Sequence, residues 1–260
     1  MAAWDNLVLL LHCEGADEGQ TFSDSSPSGH TVDVAGTDAK TDDAQAKFGG
    51  TSAFFDGDDY LSIADHSDFD FAYDEPHTVE CWVYPSGVVG NQYLFEKYTA
   101  ATSPGWMIYM GDQKLYGILN NTSSGGHRVT WHTSDNVLSA GSWQHIAVTY
   151  DGSGQGSSDG VIVCINGTKK TLTIGDDNID ADMNNSQPLQ IGSAAGSSGF
   201  TGWMDEIAIY NNYAKYTDSF TVPTRAYRRP KSSYIRRFWS VAVPIIGGGI
   251  PLIGSIPRIG

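Results

Sequence analysis

No stretch of this chain sustains a 3.6-residue apolar period, and that constrains its fold more than any other feature. Short apolar or alternating runs are instead broken by Gly, Ser, Asp and Asn at intervals of roughly 8–15 residues. Residues 7–12 form a continuous apolar run, as a strand buried on both faces requires. Residues 53–55 and 60–63 flank Asp56-Gly57-Asp58-Asp59, which has hairpin-turn chemistry. Residues 78–84 alternate and stop at Pro85. Residues 106–110 and 114–119 flank Gly111-Asp112-Gln113. Residues 128–133 precede 143–150. Residues 161–165 end at Asn166-Gly167, the strongest short hairpin dipeptide, and the pattern resumes at 169–174. Residues 189–191 and 203–210 close the series. About a dozen short strands joined by polar turns predict an all-β antiparallel sandwich. Residues 1–224 show no internal repeat and no break in composition, so they read as one domain. The Gly/Ser-rich stretch 152–160 reads as a flexible hairpin tip.

The apolar fraction of 40% is enough to bury a core and excludes a disordered chain. Against 15 Lys and Arg stand 30 Asp and Glu, a net charge of −15. Such a chain should repel nucleic acid and anionic membranes. The charge is unevenly placed. Residues 225–260 hold seven basic residues and no acid, which leaves 1–224 at −22 (8 − 30). Cys13, Cys81 and Cys164 are too few and too scattered for a disulfide framework, and are expected as buried thiols. The first residues lack a basic n-region and reach Asp5 at once, so no signal peptide is read there and synthesis in a cytoplasm is expected.

Several strands together spell a family pattern. Leu7-Val8-Leu9-Leu10-Leu11-His12, Lys47-Phe48-Gly49-Gly50 and Phe54-Phe55-Asp56-Gly57 resemble the opening of laminin-G-like domains. Thr78-Val79-Glu80-Cys81-Trp82 is similar to that family's T-x-E-x-W strand. Trp143-Gln144-His145-Ile146-Ala147 is similar to its W-x-H-x-A strand, and Ile165-Asn166-Gly167 to its hairpin. Gly202-Trp203-Met204-Asp205-Glu206 resembles its closing G-x-x-D-E strand. The resemblance covers 1–224 in order. It implies the concanavalin A-like lectin/glucanase fold, a jelly-roll of two antiparallel sheets. Stand-alone versions are common in bacteriophage virion proteins. On that fold Trp82 and Trp143 are expected in the core between the sheets. His145 is expected as an interior histidine, and Glu80 as exposed on a sheet face or paired.

A catalytic role finds no support in the residues. The glucanase branch needs a Glu-x-Asp-x-x-Glu strand, which is absent. Asp205 and Glu206 are adjacent, and neighbours in a regular strand face opposite sides. The remaining acids cluster in turns, and no phosphate loop is present. A non-enzyme is therefore expected. The resemblance implies a structural calcium ion held by Glu14, by a carbonyl of Gly49 or Gly50, and by Asp205. The alternative is that Asp205 only accepts backbone amides. Carbohydrate binding would need aromatic residues on a sheet face, and Trp106, Tyr109, Tyr116, Trp131 and His132 are the candidates. Trp106 and Trp131 serve equally well as core.

After Pro223 the pattern changes. Arg228, Arg229, Arg236 and Arg237 make a basic stretch, followed by Phe238, Trp239, Ile245, Ile246, Ile250, Leu252 and Ile253. Pro244, Pro251 and Pro257 break any spanning helix, so 225–260 is expected as an extended tail rather than a membrane span. So much contiguous apolar surface has to be buried, and the expected partners are sister chains or other virion subunits, giving a homo-oligomer. Two functional readings follow from different premises. The first is a virion structural or display protein anchored by the tail, possessing or lacking affinity for host glycans: a capsid decoration, head-fibre or tail protein. The alternative is a free carbohydrate-binding lectin module, and a glycan hydrolase or lyase comes third.

Overall fold

The computed structural model describes residues 3–36, 38–98, 103–121, 127–153, 157–192 and 198–228. Among these residues the chain forms sixteen strands. They are β1 Leu7–Leu11, β2 Asp33–Ala35, β3 Lys40–Asp42, β4 Ser52–Asp56, β5 Tyr60–Ile63 and β6 His77–Pro85. Then come β7 Asn91–Lys97, β8 Gly105–Gly111, β9 Lys114–Asn120, β10 Arg128–Thr133 and β11 Gln144–Tyr150. The last are β12 Val161–Ile165, β13 Thr168–Lys169, β14 Leu172–Asn178, β15 Leu189–Ile191 and β16 Thr201–Asn211. Every ladder pair is antiparallel. The first sheet runs β13-β12-β11-β6-β16-β4-β3, with β1 also on β16. The second runs β14-β10-β9-β8-β7-β15-β5-β2. This is the two-sheet antiparallel jelly-roll sandwich the sequence predicts. Among the described residues no helix is long and apolar enough to cross a membrane.

Alternate residues of each strand fill the space between the sheets. Val79, Cys81 and Val83 of β6 face Ile108, Met110, Leu115 and Val129 of the second sheet in one continuous core. All three cysteines are buried free thiols. The turns at Asp112-Gln113 and Asn166-Gly167 have positive φ at both central residues, the conformation that matches strand twist in a two-residue hairpin. The Asp56–Asp59 turn departs from expectation. β4 belongs to the first sheet and β5 to the second, so this turn crosses between sheets instead of closing a hairpin.

Two sequence expectations fail on the outer face of the first sheet. Trp82 is buried but points away from the core, beneath Lys47, whose ammonium lies 3.7 Å from its ring centre. Trp143 is half-buried against Tyr84, also outside the core. Trp82 belongs to β6 and Trp143 directly precedes β11, and part of the outer face of these strands is covered. Residues 212–227 run across it, with Tyr216 and Phe220 over Ala147, Ile162 and Cys164. Tyr213 and Tyr227 pack over Leu7, Leu10, Ala208 and Tyr210.

Backbone contacts divide the chain into Met1–Arg229 and Pro230–Gly260. The compact unit thus runs past the boundary read at 224, because Tyr227 packs on β16 and donates its amide to Glu206 at 2.6 Å. Arg228 is exposed at the end of the described chain. The other residues assigned to the anchor, Arg229, Arg236, Arg237, Phe238, Trp239, Ile245, Ile246, Ile250, Leu252 and Ile253, lie outside the described residues.

Candidate functional site

Strands β7 to β10 lie side by side in the second sheet, so one residue from each can share a row on its outer face. Tyr93, Tyr109, Tyr116 and His132 do so, each the cross-strand partner of the next. Their ring centres are 5.2, 4.9 and 5.1 Å apart. Tyr109 and Tyr116 are within 10° of parallel. Tyr109 and Tyr116 stack, and the Tyr93 and His132 rings are tilted against them by 34° and 41°. All four residues are partly exposed. His132 is fixed by its Nδ1–H, which donates to the Thr133 carbonyl at 2.9 Å.

The next row holds Glu96, Met107, Ile118 and Thr130 in register, with Gln190 beside Glu96. Glu96 is 8% exposed and burial pushes its carboxyl up to about 7. Burial also raises the Tyr93 and Tyr109 phenols, so both stay protonated and able to donate. Lys114 stands two residues from Tyr116 on the same strand face.

Tyr109, Tyr116 and His132 are thus brought together, as the sequence suggested, but Trp106 and Trp131 are not with them. Both tryptophans point into the core and are 1% and 4% exposed. The Trp106 indole N–H donates to the Phe69 carbonyl at 2.8 Å. Trp131 lies on its cross-strand partner Gly117, where an added Cβ would sit 2.1 Å from the indole. The strand alternation is strict here, so the tryptophans and the tyrosines occupy opposite faces. The sequence reading missed Tyr93 and the whole of β7. A bulge between Tyr93 and Phe95 turns both Leu94 and Phe95 inward and erases the period of two.

The residues assigned to calcium form a different arrangement. Asp205 Oδ2 accepts the amides of Lys47 and Phe48, each at 3.0 Å, and Oδ1 accepts the Glu206 amide at 2.7 Å. Glu14 accepts the Gly50 amide through both oxygens, at 3.1 and 3.3 Å. Gly49, at φ +67°, leaves room for the Glu14 carboxylate where a Cβ would collide with it. These carboxylates face N–H donors and clamp the 47–50 turn, Asp205 to β16 and Glu14 to the segment after β1. The amides supply the partners that both carboxylates need, so the arrangement is complete as a clamp on the turn.

Asp205 and Glu206 are on one face rather than opposite faces. Glu206 takes φ +49° at a bulge, so both acids fall between inward-facing Met204 and Ile207. They still make no catalytic pair, since Glu206 is committed to His12 Nδ1 at 2.6 Å and to the Tyr227 amide. That bond to Glu206 raises the His12 imidazole against the effect of burial. Glu80 is likewise sealed. Its carboxylate is met by the Lys215 ammonium, the Tyr216 hydroxyl at 2.9 Å and the His145 ring at 3.3 Å. Burial alone would raise Glu80; the Lys215 and His145 charges outweigh it and hold the carboxyl at about 2.

The fold has known relatives. The structure aligns with the binding domain of Paraclostridial Mosquitocidal Protein 1 at a TM-score of 0.61 and 18% identity, over 83% of this chain and 51% of that one. It aligns with a botulinum neurotoxin type C structure at 0.56 and 14%, over 80% and 49%. Domain 4 of the arabinanase AbnA from Geobacillus stearothermophilus aligns at 0.52 and 19%, over 81% of this chain and 94% of that domain. The chain spans about half the length of the toxin structures it matches. No curated protein matches the sequence. The Laminin_G_3 family model, described as the concanavalin A-like lectin/glucanases superfamily, matches residues 55–215. A match over that much of the chain, on a sandwich of this topology, places the protein in the concanavalin A-like lectin/glucanases superfamily.

Proposed function

We propose that this protein is a non-catalytic carbohydrate-binding module and that it binds glycan on the outer face of the second sheet. The observation that carries this reading is the unbroken Tyr93–Tyr109–Tyr116–His132 strip. Three partly exposed tyrosines offer hydroxyls, each able to donate and accept, beside apolar ring surface. A sugar presents the same alternation of hydroxyls and C–H groups. Extended glycans suit a strip that crosses four strands better than a compact ligand does. The neighbours support a binding role: the AbnA domain is in complex with arabinotriose, and the type C neurotoxin depends on two ganglioside molecules for cell entry.

The test is a glycan array probed with the full chain and with Tyr109→Ala/Tyr116→Ala. Retention on at least one glycan class, lost by tenfold or more in the double variant, is the expected result. Absence of any bound glycan, or binding that ignores the substitution, refutes the assignment.

Display on a virus particle is the second reading, and it rests on the composition of 225–260: seven basic residues and no acid, then a proline-broken apolar run. An anchor of that kind makes the full chain oligomeric and 1–229 monomeric by light scattering. Monomers in both cases remove the reading.

A further inference from the structure

The 56–59 turn carries β4 of the first sheet into β5 of the second, and it gathers acids. Asp56, Asp58 and Asp59 each place a carboxylate oxygen within 4.8 Å of the others. Acidic turns on a surface are commonplace, but Asp59 is not on the surface. It is 0% exposed, and neither of its carboxylate oxygens has a hydrogen-bond partner. Buried charges are otherwise paired or bound to a metal, because removing an ion from water without compensation is strongly unfavourable. The Asp56 backbone is near enough to favour the charged form without reaching hydrogen-bond geometry.

The surroundings add negative charge. Asp38 stands close enough to repel the Asp59 carboxylate, as do Asp56 and Asp58. The loop that carries Asp38 is pressed onto the turn at Gly36, where a Cβ would lie 2.6 Å from the Asp58 carbonyl and the Asp59 Cα. Gly36 has φ +88°, so both its lack of a side chain and its backbone freedom are used.

We propose that this turn is a calcium site, with Asp56, Asp58 and Asp59 as ligands. An all-oxygen carboxylate set selects a hard cation. Calcium holds oxygens at about 2.3–2.6 Å, so two ligands on opposite sides of it are roughly 4.6–5.2 Å apart. The 4.8 Å limit on these three oxygens falls inside that span. The contrast with the Glu14 and Asp205 turn is chemical. There both carboxylates are held by amide hydrogens, whereas here Asp56 accepts only the Asp58 amide, at 3.3 Å, and Asp59 accepts none. A bound ion would tie the two sheets together at their crossing.

The experiment titrates calcium chloride into the chelator-treated full chain, followed by calorimetry and thermal unfolding. One ion should bind per chain. At one hundred times Kd the melting temperature should rise by about 5–10 °C. Asp56→Asn/Asp58→Asn changes exposed residues and should fold normally by circular dichroism, yet lose calcium affinity at least tenfold. Glu14→Gln should keep the full calcium response. Asp59→Asn should be insensitive to calcium; if it fails to fold, the exposed double variant decides alone. Absence of binding at millimolar calcium overturns the proposal. So does a response that survives Asp56→Asn/Asp58→Asn, or one abolished by Glu14→Gln.

Discussion

Trp131 and Tyr116 illustrate how much one residue's face decides. They sit on adjacent strands, both aromatic, and the sequence offered both as sugar contacts. Gly117 is the reason they differ in role: its missing side chain makes the slot that takes the Trp131 indole into the core. Trp131→Ala should therefore cost about 3–5 kcal/mol of stability, read by urea unfolding. Tyr116→Ala should cost about 1 kcal/mol or less and act on glycan retention instead. The reverse ranking of stability losses would mean that the faces are misassigned. A second residue-level test concerns Lys215. Its removal leaves Glu80 buried beside only a hydroxyl and an imidazole, and Lys215→Met should destabilise by about 3–5 kcal/mol. The signal for Lys215 was weak in the sequence, where it is one cation in a polar stretch. Its partner lies 135 residues earlier, and only the folded path of 212–227 brings them together.

At the scale of elements, most strands were legible, but where a bulge interrupts one, the face of its residues was not. β6, β8, β9, β11 and β12 keep their alternation, and the sequence places them within a residue or two. β7 and β16 both contain bulges, and a bulge puts two successive residues on one face. That hid Tyr93 and misdirected the reading of Asp205 and Glu206. β2 and β3 are three residues each, too short for any period to register. The 212–227 segment was invisible for another reason: it forms no ladder, and binds through side chains such as Tyr216 and Phe220. Its attachment should depend on pH. Glu80 is held at about 2 in the fold against an ordinary 4.5, so its contribution is present above the ordinary value. It is lost as pH falls from about 4.5 to about 2. Stability measured across that window should decline in the wild type and decline less in Lys215→Met. Equal slopes would show that the Glu80 network does not hold the segment.

For the whole molecule, the two outer faces of the sandwich differ in how much of them is covered. On the first sheet 212–227 covers Glu80, His145 and Glu206, while Phe54, Tyr84, Trp143 and Trp203 stay partly exposed beside it. The second leaves Tyr93, Tyr109, Tyr116 and His132 partly exposed in one row. The fold class follows from strand rhythm and turn chemistry, but this division of labour does not. Both sheets supply apolar and aromatic residues to both sides, and only tertiary packing shows which side is covered. The measurement that most directly tests the division is NMR of the full chain carrying ring-labelled tyrosine, titrated with the strongest ligand from the array. Shifts should be confined to Tyr93, Tyr109 and Tyr116, while Tyr150 and Tyr210, buried at 2% and 4% exposure, stay unmoved. A saturating ligand that leaves the three strip tyrosines unshifted would place the glycan elsewhere and contradict the assignment of this face.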